Sequence, residues 1–146
     1  MARKVFFSFK YDDVQRAMNV RNSNVITGAL KSGFIDKADF EAVERRGDGA
    51  IKTWIDGQLD GTTVTVVLVG ANTNNSRWVR YEIEQSIKRK NGILTIDVSK
   101  IADLRGNTTN WCGMTIPGYT NYRWNRDEGR TNLGAWVEKA AKDAGR

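Results

Sequence analysis

The stretch SRWVRYEIEQSI, residues 76–87, sets a tryptophan, Trp78, and a carboxylate, Glu82, one helical turn apart. A second acid, Glu84, falls about half a turn round the same helix. Val79, Ile83 and Ile87 form the apolar line, which puts Glu82 about 100° from Ile83, at the edge of the buried face. A glutamate there is either a surface acid paired with Arg77 or Arg89, or a group set to face a ligand. The chain contains no histidine, so catalysis near neutral pH would rest on carboxylates, hydroxyls or lysine. With one cysteine, Cys112, and no histidine, neither an internal disulfide nor a zinc site is expected.

Three apolar runs bracket this helix and define the frame that must position it. Residues 3–9 (RKVFFSF), 63–70 (TVTVVLVG) and 92–98 (GILTIDV) are near-continuously apolar, as strands buried on both faces of a parallel sheet are. A short extended piece follows at 121–124. Between the first two runs, Ile51, Trp54, Ile55 and Leu59 recur at spacings of three and four, predicting a helix that stops at Gly61. A looser stripe, Val20, Val25, Ile26, Ala29 and Leu30, predicts an earlier helix that ends before Gly33. Residues 31–43 could add a strand, or ADFEAVE one or two helical turns. ANTNNS, residues 71–76, supplies caps for the helix 77–90, with Asn72, Thr73 and Asn74 as candidates that could also face the pocket. At the C-terminal end, Leu133, Trp136, Val137 and Ala140 face inward from a final helix. The alternation predicts an α/β fold with a central parallel sheet and helices on both faces, in a single domain over 1–146. Ligands in such a sheet sit at the carboxyl ends of the strands, here SFKYDD, GANTNNS and the residues that follow LTIDV.

Composition narrows the function classes. Of 146 residues, 23 are basic and 17 acidic, a net charge of +6 that favours anionic partners such as nucleotides. The charge is scattered, with no basic tail, so nucleic acid is not an expected partner. No apolar run reaches membrane-spanning length, and the basic start leads into a strand rather than a signal peptide, so a cytoplasmic protein is expected. No G-x-G-x-x-G follows the first strand and no G-x-x-x-x-G-K-[ST] occurs, which disfavours dinucleotide redox enzymes and nucleoside triphosphatases. Asp12 and Asp13 could imitate the acidic pair of a phosphoryl-accepting receiver, but the middle strand ends VLVGAN, without the acceptor carboxylate. Asp36, Asp39 and Glu41 lack the glycine and the distal glutamate of a calcium loop.

Six segments, KVFFSFKYDD, GAIKTWIDGQL, TVTVVLVGANT, SRWVRYEIEQSI, GILTIDV and NLGAWVEKA, occur in an order that resembles the TIR-like family typified by the Thoeris antiphage-defence TIR protein. Two signatures are shared with TIR domains broadly. One is aromatic–Ser–aromatic with a following acid, matched by Phe7, Ser8, Phe9 and Asp13. The other is Ser-x-Trp-x-x-x-Glu, matched by Ser76, Trp78 and Glu82. The resemblance implies a flavodoxin-like three-layer sandwich and an enzyme that cleaves NAD, its substrate rather than a bound cofactor, with release of nicotinamide. In the Thoeris branch the ADP-ribose is cyclised to a signalling nucleotide that activates a separate effector. Glu82 inherits the catalytic role. Ser8 would allow close approach of substrate, and Phe9 would either line the nucleotide pocket or belong to the core. Lys10 and Arg77 would meet the diphosphate, Asp13 and Asn72 would face the pocket, and Trp78 would steady the helix beside Glu82.

The chemistry suits a lone carboxylate. Cleaving the N-glycosidic bond builds oxocarbenium-like charge on the ribose, and nicotinamide leaves neutral from a cationic ring without an acid. The second carboxylate of an ordinary glycosidase is unnecessary. The resemblance also implies assembly with other TIR subunits, with 31–49 as the pocket-covering segment. The alternative is a TIR module that signals by assembly without catalysis.

Overall fold

The computed structural model describes residues 3–23 and 37–146. Four strands, β1 (Val5–Phe9), β2 (Val64–Val69), β3 (Gly92–Asp97) and β4 (Thr120–Arg123), pair in the order β1-β2-β3-β4, every pair parallel. The register sets Ser8 beside Val67 and Leu68 beside Ile96. Every residue of β2 and β3 is buried, which explains why these segments lack apolar–polar alternation.

Helices cover both faces. On one, α1 (Val14–Arg21) and α5 (Gly129–Asp143) bury Ala17, Val20, Leu133, Trp136 and Val137 against Val5, Phe7, Val66, Leu94 and Ile96. Ala140 packs at its margin. On the other, α3 (Asp48–Leu59) buries Ile51, Ile55 and Leu59 with Phe6, while α4 (Arg77–Lys88) packs Val79 and Ile83 on Val67, Val69 and Ile93. This is the expected three-layer parallel α/β architecture. Gly92 lets α5 lie directly on the sheet, because a Cβ there would collide with the Ala140 carbonyl. Cys112, with Trp111, Met114 and Ile116, packs against the α4 cluster.

Three expectations change and one pair of alternatives is decided. The helix after β1 begins with a 3₁₀ turn at Tyr11–Asp13 and ends at Arg21; Val25, Ile26, Ala29, Leu30 and Gly33 lie outside the described residues. Residues Lys37–Glu44 form a helix, α2, the helical alternative for ADFEAVE; residues 31–36 of the alternative strand lie outside the described residues. Trp54 is half-buried, at the margin of its cluster. The last correction concerns α4. Ile87, assigned to the buried line, is 45% exposed, whereas Glu82 and Ser86 are buried. The helix is rolled by roughly 50° from a seat centred on Val79, Ile83 and Ile87, toward the side on which Trp78 and Tyr81 meet α3.

Candidate active site

Alternation along β1 sends Phe6 and Ser8 to the face covered by α3 and α4, and Phe7 and Phe9 to the other. Beyond β2 the chain turns at Gly70, whose N–H donates to Thr73 Oγ1 at 2.8 Å. Ser76 then caps α4, its Oγ accepting from the Val79 N–H at 3.2 Å. Of the segment ANTNNS, expected to supply the caps, Ser76 is the residue that does so. The Asn72 side chain makes no cap bond and is exposed; only its carbonyl serves the turn, accepting from the Asn75 N–H.

From this start, the second turn of α4 brings Glu82 over the end of β1. Ser8 Oγ donates to Glu82 Oε1 at 2.6 Å. Ser8 is fully buried and Glu82 is 8% exposed. Burial pushes the Glu82 carboxyl up to about 8, and the Ser8 hydrogen bond only partly opposes it. Near neutral pH the carboxyl in this closed setting therefore holds its proton. A perturbed acid at a strand carboxyl end is a site candidate on physical grounds.

Asp13 is also buried, beneath Gly70: a Cβ on that glycine would run into its carboxylate. Burial raises its pKa and Arg16 opposes the rise. The Arg16 guanidinium lies 3.3 Å from Asp13 and donates to the carbonyls of Ile101 at 2.8 Å and Asn107 at 3.0 Å. Asp13 thus anchors a strut that ties the loop after β3 to the end of β1.

The remaining candidates spread out. Phe9 packs against the α1–α5 core, its ring centroid 6.2 Å from that of Tyr11. Lys10 pairs with Asp12 at 3.3 Å. Arg77 pairs with Asp48 at the start of α3, and its guanidinium stacks 4.5 Å over Trp78. Trp78 meets Tyr81 edge-on, and the Tyr81 hydroxyl donates to Asp56 at 3.0 Å, so this pair docks α4 on α3. Ser8 and Glu82 meet directly, Asp13 sits at the neighbouring strand end, and Lys10, Arg77 and Asn72 point to other partners or to solvent.

Sequence reasoning missed Arg16 and a buried polar group of Thr62, Thr65, Ser86 and Asn91. One signal was available: Ser86 stands four residues after Glu82, giving α4 a polar line beside its apolar one. Two cavities, of about 340 Å³ by Gly92 and Tyr122 and about 540 Å³ between Lys100 and the start of α5, include neither Glu82 nor Ser8. Among the described residues no trio of His, Cys, Asp or Glu could hold a metal, and no helix is long and apolar enough to cross a membrane.

The family model described as "Thoeris protein ThsB, TIR-like domain" matches residues 6–103, a span that includes Ser8, Asp13 and Glu82. A protein of Bacillus cereus (strain MSX-D12) named "Putative cyclic ADP-D-ribose synthase ThsB1" is 37% identical over 140 residues, covering 94% of this chain and 72% of that protein.

Proposed function

The chain belongs to the Thoeris ThsB TIR-like domain family, and from that premise we propose that it cleaves NAD, releases nicotinamide and cyclises the ADP-ribose to a signalling nucleotide in antiphage defence. Glu82 is the catalytic residue in this reading. The observation that carries it is the buried Glu82 carboxyl held by Ser8 at the carboxyl end of β1.

The bond between ribose C1′ and the nicotinamide nitrogen breaks, and its electron pair leaves with nicotinamide, which becomes neutral. Positive charge develops on the ribose, and an ionised Glu82 facing it lowers the barrier. A nucleophile of the same molecule then captures C1′. Burial holds Glu82 protonated near pH 7, so it must lose its proton for this role. The cationic nicotinamide ring of arriving substrate favours that loss, because an opposite charge nearby stabilises the carboxylate. Glu82 also sits poised near neutrality, the range that suits a group required to change its charge. Ser8 is a positioning residue: its hydroxyl fixes one carboxyl oxygen. Acting as the nucleophile would need a base to activate it, and its hydrogen is committed to Glu82.

The same burial favours a second reading. A carboxyl closed off by its own helix suits a TIR module that only assembles, or an enzyme whose pocket opens on assembly with other copies. Other TIR subunits and an effector reached through the nucleotide complete the proposed set of partners, in the cytoplasm. The purified chain, incubated with NAD with and without a phage-derived trigger, is expected to release nicotinamide. Release that is absent under both conditions, from a chain shown to assemble, would favour the non-catalytic reading.

A further inference from the structure

Ser86, one turn beyond Glu82 and fully buried, donates its Oγ hydrogen to the Glu82 carbonyl at 2.7 Å. The same Oγ lies 2.7 Å from Thr65 Oγ1 on β2. A hydroxyl has one hydrogen, so with that of Ser86 committed to the helix, Thr65 is the donor between them. Thr65 Oγ1 accepts in turn from Asn91 Nδ2 at 3.3 Å. The same amide donates to Thr62 Oγ1 at 3.0 Å, and the Thr62 hydroxyl donates to the Leu59 carbonyl at 2.6 Å. The direction of every bond is therefore fixed, and the chain runs from the end of α4 back to the peptide unit of Glu82. All four side chains are at least nine-tenths buried.

This seam favours the roll of α4, alongside the docking of Trp78 and Tyr81 on α3. Seating the helix on Val79, Ile83 and Ile87 would bury an isoleucine now 45% exposed and swing Glu82 away from Ser8. It would also pull Ser86 off Thr65 and strand a buried hydroxyl without its acceptor. In the low-dielectric layer between sheet and helix, a hydroxyl chain in which Thr62, Thr65 and Ser86 each place their hydrogen offsets one more buried isoleucine, even with the Asn91 amide oxygen unpartnered among the described residues.

We propose that Thr65, Ser86 and Asn91 are positioning residues that hold α4 in the roll that presses Glu82 against Ser8. Their consequence for turnover rests on the reading of Glu82 as the catalytic carboxylate; their effect on where Glu82 sits does not.

The test uses the full chain with Thr65→Val, which keeps the side-chain shape without the hydroxyl, and Thr65→Ser, which keeps the hydroxyl. Thr65→Val takes the acceptor from one Asn91 amide hydrogen only; the other still bonds Thr62, and Ser86 still bonds Glu82, so the variant should fold with a modest loss of stability. Each substitution is made with Glu82 intact and with Glu82→Gln. The first readout is the stability difference between those two forms at pH 9, which needs no activity and reports how deeply the carboxyl is buried. The seam predicts a narrowed difference in Thr65→Val and the parental difference in Thr65→Ser. The second readout is nicotinamide release: kcat should fall about tenfold or more in Thr65→Val, with KM within about twofold, and Thr65→Ser should restore it. A stability difference as wide in Thr65→Val as in the parent overturns the positioning role. A narrowed difference, with turnover indifferent to both Thr65→Val and Glu82→Gln, upholds the positioning and removes the catalytic role.

Discussion

Ser8 and Glu82, 74 residues apart in sequence, share a 2.6 Å hydrogen bond in which the β1 hydroxyl is donor and the α4 carboxyl acceptor. The bond favours the charged carboxylate and so opposes the effect of burial. Replacing Ser8 with Ala removes that opposition. The apparent pKa of Glu82 should rise above its present value, and the rising limb of the pH profile of kcat/KM should move to higher pH. The measurement is that profile in parent and Ser8→Ala. A limb that stays in place, or moves to lower pH, contradicts the assignment of Ser8.

Glu82 makes the fold pH-dependent in a direction opposite to most paired acids. Its folded pKa of about 8 lies above the ordinary 4.5, so the folded state holds the proton more tightly than the unfolded one. This contribution to stability is fully present below the ordinary value, and it is lost progressively as pH rises through the folded value. Glu82→Gln has no proton to lose. The variant should match the parent near pH 4.5, exceed it increasingly up to about pH 8, and hold a level advantage above that, on the order of a few kcal/mol. Urea unfolding at pH 5, 7 and 9 measures the difference. A constant difference across that range would remove the buried, proton-holding Glu82 from the account.

The two arginine–carboxylate pairs Asp13–Arg16 and Arg3–Glu138 separate burial from mere proximity. The Arg16 pair is longer, 3.3 Å against 2.7 Å, but its side chains are only 6% and 5% exposed, against 23% and 45%. Arg16→Met leaves the Asp13 carboxylate buried without its partner, a loss of about 3–5 kcal/mol. Arg3→Met removes a surface pair and should barely move the thermal midpoint. Calorimetry on both variants decides the point, and equal losses would contradict it.

Much of this was legible in the sequence. The unbroken apolar runs gave β1, β2 and β3 because a strand buried on both faces has no polar side to show. The S-x-W-x-x-x-E pattern led to Glu82, and the F-S-F end of the first strand led to Ser8, but nothing in either stretch says that the two touch. The roll of α4 was not legible. Val79 and Ile83 are compatible with a face that adds Ile87 and with one that adds Glu82 and Ser86, and the choice depends on partners from other elements, Thr65 on β2 and the α3 surface that Trp78 and Tyr81 meet. Arg77 and Lys10 were assigned to the diphosphate by charge alone. Their ion pairs depend on Asp48 and Asp12, partners that a basic residue's position does not reveal.

In the proposed reaction the Glu82 carboxylate carries the chemistry. Glu82→Gln preserves volume and most hydrogen bonding but removes the charge, whereas Glu84→Gln, on an exposed position of the same helix, changes a charge that faces solvent. Nicotinamide release from NAD, measured for both variants beside the parent with melting temperatures recorded, is the direct test. Turnover is expected to fall by about 10²-fold or more in Glu82→Gln without loss of fold, and to stay near the parent in Glu84→Gln. Equal turnover in Glu82→Gln and the parent would contradict the account.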